Sequence, residues 1–405
     1  MTLKKLIGKL HLWLGLASGL VVFVVAVTGC IFAFEEELFR VFHSKLVHVR
    51  VPSDAGKKLP VSVLQERAQT ALGGSDSITL INIYPQNDLA WEFDVFRYNE
   101  EKSANSFWDQ AGLYWKKAYV DPYTGNVNGI MDMQYEFFIV TRSIHQNLFI
   151  NPKIGSPIVG SATIIFVVLL LSGLVLWWPK NKAAARQRFA FRWKDTTRWK
   201  RKNYDLHNIL GFYMLVFGIF IALTGIVWSF DWWENVVYRV LDGKVVQFKL
   251  PKNPDKTVSA NEPVHLLDQV VARIQKDNPE YYRIFLSKNK PTNTLTAGAN
   301  FKDNTLWTAY NYYMYNLSTG KEYGALLQKD KTTGQKWRNS NYDLHTGKTL
   351  GYVGMTIAFF VSLISALLPV TGFYIWWGRR KKAEKRPETL GKIAPQIRSR
   401  ERVKS

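Results

Sequence analysis

Four histidines stand at the edges of apolar segments, and their spacing sorts them into two matched sets. His11 and His207 each precede a Thr-Gly pair by 17 residues, Thr28-Gly29 and Thr224-Gly225. His145 and His345 lie 32 and 31 residues before Trp-Trp pairs, Trp177-Trp178 and Trp376-Trp377. The offsets between partners are 196 and 200, so residues 1 to about 195 are repeated by 196 to about 395. Imidazoles that recur in pairs on membrane helices can grip a haem iron from both sides, and that is the chemistry this spacing suggests.

The elements that must position them are apolar runs. The mean hydropathy of -0.13 conceals four stretches, 10–34, 158–178, 209–230 and 352–377, each long enough to cross a hydrocarbon core. The net charge of +21 is equally segregated: the N-terminal tail, the 180–202 loop and the tail from Arg379 hold 24 Lys/Arg against four acids, leaving the rest of the chain almost neutral. The excess of basic residues beside membrane segments places both termini and that loop in the cytoplasm. A solvated membrane-proximal surface accounts for the basic runs, and nothing points to nucleic acid. His11 and His207 then start outward-running helices near the inner face. His145 and His345 precede inward-running ones near the outer face. Each pair sits at one depth on two helices, the arrangement that two b-type haems require.

The predicted layout is a membrane α-helical protein with four transmembrane helices in two repeats, each repeat carrying an extracytoplasmic α+β module. Its parts are helix 1 (1–34), outer module 1 (35–150), helix 2 (151–179), a basic cytoplasmic loop (180–202), helix 3 (203–230), outer module 2 (231–340), helix 4 (341–378) and a basic tail (379–405). Each module opens with a short amphipathic helix, marked by Val61, Leu64 and Ala68 or by Val264, Leu267 and Val271. Alternating runs at 90–95 and 306–315 read as strands, and the turns around Gly125 and Gly320 as hairpins.

These signs carry a resemblance. A helix, strands and the hairpin Val120-Asp121-Pro122-Tyr123-Thr124-Gly125-Asn126-Val127 resemble a PepSY module. Set between Leu10-His11, Leu206-His207, Leu344-His345 and the runs Gly173–Pro179 and Gly372–Trp377, they resemble the PepSY-associated transmembrane family over nearly the whole chain. Two positions depart from that pattern: Asn316-Leu317 replaces Asp-Pro in the second hairpin, and Ile144 precedes His145. The resemblance implies a bacterial inner-membrane reductase of ferric siderophores carrying b-type haem. An oxidoreductase of that kind would release Fe(II) on the periplasmic side.

Other residues fit around this reading. Arg142, Arg338 and Lys348 are candidate contacts for haem propionates, with lipid head groups as the other use of such cations. Gly15, Gly19 and Gly211 lie on the faces of His11 and His207, where small residues could admit a flat macrocycle or close helix packing. Trp177, Trp178, Trp232, Trp233, Trp376 and Trp377 read as interfacial anchors, and Pro369 as a kink in helix 4. His265 aligns with Ser62 and takes no ligand role; His43 and His48 lack counterparts. The lone Cys30 excludes an intrachain disulfide. Although Val27-Thr28-Gly29-Cys30 has the form of a lipoprotein cleavage box, cleavage there would discard His11. No dinucleotide fingerprint, zinc-protease motif or nucleophile elbow is present, so electrons must come from a separate donor, a quinol or a cytoplasmic flavoprotein. The reading from another class is a membrane-anchored PepSY module that binds or regulates a peptidase or other partner without redox activity.

Overall fold

The computed structural model describes residues 2–384 except 54–55, 74–76, 180, 256, 258–261 and 303–304. Most of the basic tail 379–405 therefore lies outside the described residues. The first half runs through α1 (Leu3–Phe32), the short α2 (Glu35–Phe42) and α3 (Ser44–Val47), α4 (Val61–Leu72), β1 (Leu80–Ile83), β2 (Trp91–Tyr98), α5 (Glu100–Ala104), β3 (Leu113–Val120), β4 (Val127–Asp132), α6 (Phe137–Asn147) and α7 (Pro152–Trp177). A linking helix α8 (Lys182–Arg186) follows. The second half repeats the order with α9 (Trp199–Tyr213), α10 (Leu215–Ile226), α11 (Asp231–Asp242), α12 (Leu266–Asp277), β5 (Tyr281–Asn289), β6 (Thr294–Lys302), β7 (Thr308–Asn316), β8 (Glu322–Leu326), α13 (Thr333–Thr346) and α14 (Gly351–Glu384).

Among the described residues, α1, α7 and α14 are each long and apolar enough to cross a membrane. The fourth apolar stretch, expected as one helix over 203–230, is instead α9 and α10, bent by 65° at Met214. Met214 turns its side chain over Gly218, where a Cβ would come within 2.6 Å of the Met214 Cε. The span expected from 341 also starts later. Gly347 and Gly351, both with positive φ, end α13 and separate it from α14. In the first half Leu148 and Phe149 take the same left-handed conformation between α6 and α7, and Asn151 caps α7 with Pro152 at its first position. His145 and His345 thus sit near the ends of short separate helices. At Pro369, where a kink is expected, α14 runs on without a break.

The strands appear where alternation places them, and the hairpin glycines 125 and 320 have φ of 73° and 70°. The two expected modules share one antiparallel sheet, in the order β4-β3-β2-β1-β5-β6-β7-β8. The halves join through β1 and β5, with Leu80 opposite Ser287 and Ile83 opposite Ile284. Without that pairing each half would leave β1 or β5 as an open edge. One face of the sheet is buried beneath α4 and α12 in a single core containing Leu64, Phe93, Leu267, Ile274 and Leu286. Ser62 ties the two helices together by donating its amide and hydroxyl to Asp268, at 3.0 and 2.5 Å. The opposite face looks toward α13 and the helical bundle.

Candidate functional site: two facing imidazole pairs

The bundle brings the four histidines into the two pairs expected from sequence. The rings of His11 and His207 have centroids 6.4 Å apart at the end far from the sheet, and those of His145 and His345 are 6.1 Å apart at the sheet end. His11 and Thr28, which touch opposite pairs, are 17 residues apart on α1, so the pairs are about 25 Å apart along that helix.

Each ring is held by the same device, a hydroxyl followed by a glycine on another helix of its own half. His11 Nδ1 meets Ser172 Oγ at 2.9 Å, and His207 Nδ1 meets Thr371 Oγ1 at 2.9 Å. At the sheet end His145 Nδ1 lies 3.2 Å from Thr28 Oγ1, and His345 Nδ1 lies 3.0 Å from Thr224 Oγ1. The glycine that follows each hydroxyl residue supplies the space. A Cβ on Gly29, Gly173, Gly225 or Gly372 would come within 3.1 to 3.4 Å of the Cε1 of His145, His11, His345 or His207 respectively.

The hydroxyl geometry fixes the tautomer. Every one of these hydroxyls already donates its proton to a carbonyl one turn back: Ser172 to Leu169, Thr371 to Leu367, Thr28 to Val24 and Thr224 to Phe220. With its proton on that carbonyl it accepts from the imidazole, an arrangement with the ring proton on Nδ1 and the lone pair on Nε2. In three of the four rings Nδ1–H also faces a backbone carbonyl, His145 to Val25 O at 2.8 Å, His345 to Ile221 O at 3.0 Å and His207 to Leu368 O. No described residue bonds to Nε2 of any of the four.

This donor set fits a bis-imidazole metal centre. Two metal–nitrogen bonds of about 2 Å, with roughly 1 Å from each Nε2 to its ring centre, place facing centroids about 6 Å apart. No three His, Cys, Asp or Glu side chains gather into a metal site among the described residues. Axial ligation of a macrocyclic iron needs only two.

Around the sheet-end pair opens a cavity of about 630 Å³, lined by His145, His345, Trp228, Tyr342 and the apolar faces of α1, α7 and α10. Arg142 and Arg338 line it as well, but Lys348 does not: its Nζ stands 2.7 Å from Glu36 Oε1. Arg338 is held by Glu234 at 3.0 Å. Burial pushes the nearby Glu35 carboxyl up to about 7, although Arg142 and Lys348 pull it down. Phe32 stacks on His145, and Trp228 meets the edge of His345, with centroids 6.3 and 5.2 Å away.

The remaining candidates fall elsewhere. Gly15, Gly19 and Gly211 face Leu169, Pro369 and Leu368, so they serve helix packing. Trp177 is buried and stacked on Phe212 at 3.9 Å, whereas Trp178, Trp232 and Trp377 are exposed as anchors would be. His265 is a surface residue beside Asp268, His48 bonds Asp88, and His43 lies 3.9 Å from Glu136. Ser172, Thr371 and the glycines after them escaped the sequence reading as parts of the site. So did Asn203 and Asn341, one turn before His207 and His345, which donate to the carbonyls of Thr371 and Thr224 at 3.0 Å. A hydroxyl-Gly dipeptide in each of four apolar segments is the signal that could have found the first set.

Apolar helices joined to an antiparallel sheet and organised around facing histidines define a membrane protein with an extramembrane sheet domain. Residues 9–379 match the family described as the PepSY-associated TM region, and the chain belongs to that family. No curated relative matches it.

Proposed function

We propose that the chain is an electron-transfer protein of the bacterial inner membrane that reduces a ferric chelate, such as a ferric siderophore, on the periplasmic side. The observation that carries this is the two imidazole pairs, one at each end of the bundle, with Nδ1 engaged and Nε2 free in all four rings. Two b-type haems held there would supply one-electron transfer across the bilayer, drawing on a quinol or a cytoplasmic flavoprotein. The protein's own part is positional. The hydroxyl-Gly stations aim the rings, and Arg142 and Arg338 offer cations to propionates. Reduction to Fe(II) weakens the hold of hard oxygen ligands, so the metal leaves the chelate. A purely anchoring or regulatory role gives no reason to bring four half-buried imidazoles into facing pairs. The absorption spectrum of the purified protein, with and without ferric siderophore, tests the reading: no Soret band would end it.

The orientation is testable by itself. Asn87 and Lys321 are exposed positions of the sheet domain. Cysteines there, in a Cys30→Ser background, are expected to react with an impermeant thiol reagent in intact spheroplasts. Protection of both until the membrane is opened would reverse the topology and the direction of electron flow.

The second layer yields a graded prediction. Ser172→Ala removes the one partner that the described residues give the His11 Nδ1, whereas Thr371→Val, Thr28→Val and Thr224→Val each leave a backbone carbonyl in place, of Leu368, Val25 and Ile221 respectively. Haem occupancy or affinity at the far end should fall by about tenfold or more in the first. The affected site should change by less than half as much on a logarithmic scale in the other three. Equal losses in all four, measured by haem titration, would show that the hydroxyls do not set ring orientation.

A further inference from the structure

The duplication supplies a comparison within one chain. The offsets of 196 after the Thr-Gly pairs, 195 at the hairpin glycines and 200 at the sheet-end histidines match Phe39 to Asn235, Lys117 to Tyr312, and Phe138 to Arg338. In the first half the space between α2, β3 and α6 is filled. Phe39 packs 6.1 Å from Phe138 and 6.5 Å from Tyr119, and Lys117 is drawn away to Glu92 at 2.8 Å. Phe138 is 1% exposed. In the second half the same space, between α11, β7 and α13, is a cavity of about 440 Å³. Its walls come from Asp231, Glu234 and Asn235 on α11, Tyr310 and Tyr312 on β7, and Arg338 on α13. One fold, used twice, is packed shut in one copy and hollow in the other.

The hollow adjoins the sheet-end imidazole cavity. Arg338 and Asn339 line both, and Asn339 Nδ2 is a buried donor with no partner among the described residues. An unsatisfied buried amide is costly unless something in the space accepts its hydrogen bond. The volume lies within the range of about 300–1,000 Å³ that small-molecule sites occupy. Its charge is restrictive. Asp231 and Glu234 are offset only by Arg338, so the lining is net negative in a chain of +21. Lys331 lies behind the rings, 4.8 Å from the Tyr312 centroid and donating to Tyr310 O, and beyond Tyr310 stand Arg283, which hydrogen-bonds that side chain, and Asp343, so these wider charges bring the balance to neutrality. A multiply anionic ligand would meet carboxylates here, while a neutral or cationic one with amide-like donors and acceptors would find amides, carboxylates and tyrosine faces.

We propose that this second-half cavity is the docking site for the ferric chelate, that it takes neutral or cationic complexes such as tris-hydroxamates, and that it excludes trianionic tris-catecholates. The proposal rests on the reductase reading above, and its test is built to fail separately. Gallium(III) has the charge and coordination preferences of Fe(III) without its accessible reduction, so binding can be measured apart from redox chemistry. In calorimetric titration of the full-length, haem-loaded protein, a gallium tris-hydroxamate should bind and a gallium tris-catecholate should not. Asn235→Phe, which copies the plug of the first half, should weaken the hydroxamate at least tenfold. Gln247→Trp should do the same from the adjoining loop and serves if the helical variant misfolds. Asp231→Lys should narrow the discrimination against the trianion at least tenfold. Wild-type binding by both plugged variants, or equal binding of the two complexes, overturns the proposal. Pocket-dependent gallium binding without any reoxidation of reduced protein by the ferric complex would instead overturn the reductase reading and leave the site standing. Conversely, reoxidation that is unchanged in both plugged variants would remove this docking site and leave the reductase reading intact.

Discussion

Replacing His345 with alanine is expected to halve the haem content of the purified protein, from two per chain to one. The reason lies in how separately the two ends are built. The sheet-end pair draws on α6 and α13 against Thr28 and Thr224, and the far pair on α1 and α9 against Ser172 and Thr371. With about 25 Å of α1 between them, no side chain serves both. Loss of one imidazole would leave its partner as the single nitrogen donor of that site, and no group of three His, Cys, Asp or Glu side chains gathers there among the described residues. His145→Ala should do the same, and His11→Ala or His207→Ala should empty the far end only. Gly225→Val gives a steric counterpart, because a Cβ there already stands 3.1 Å from the His345 Cε1 and a branched side chain would turn the ring aside. The pyridine haemochrome assay reads all five variants. Wild-type protein with one haem or none would defeat the paired-imidazole assignment, and loss of both haems from every variant would mean that the bundle collapses as a unit.

The parts legible in the sequence were those written in periodicity and repetition. Apolar run length placed α1, α7 and α14, alternation placed β2 and β7, and the duplication matched His11 with His207 and His145 with His345. What escaped depends on contacts between distant residues. The pairing of β1 with β5 joins strands some 200 residues apart, and it runs over only the four residues of β1, a stretch that fits either one sheet or two. The bend at Met214 leaves no mark in a hydropathy profile, since the residues on either side of it, 209–213 and 215–226, are alike apolar. Gly15, Gly19 and Gly211 had the right spacing to face a macrocycle, but helix rotation turned them toward neighbouring leucines and Pro369. The glycines against the imidazoles belong to the opposite helices, so no spacing measured from a histidine along its own helix could reach them. The hollow beside α11 is visible only as a difference between halves, where Arg338 and Asn235 stand in the places of Phe138 and Phe39.

Chemically reduced protein mixed with a ferric siderophore should reoxidise within minutes, with loss of the reduced-haem α band, while a ferrous trap such as ferrozine develops colour. Each equivalent of trapped Fe(II) should match one electron lost, and the iron-free siderophore should produce neither signal. On the proposed function the sheet-end histidines are the ones expected to deliver, because their cavity shares Arg338 and Asn339 with the hollow that opens toward the sheet domain, whereas His11 and His207 lie at the far end. His345→Ala is therefore expected to slow reoxidation by about a hundredfold or more, equivalent to roughly 2.7 kcal/mol in the barrier. His265→Ala should leave the rate unchanged, since that side chain is 73% exposed and faces only Asp268. His207→Ala makes the sharper comparison. Starting from protein reduced in advance, it should retain rapid transfer from the sheet end but deliver about half the electrons per chain. Equal slowing by His207→Ala and His345→Ala would show that the exit does not lie at the sheet end. If neutral, cationic and anionic ferric chelates all leave the reduced spectrum untouched over minutes, iron reduction is the wrong chemistry for this protein.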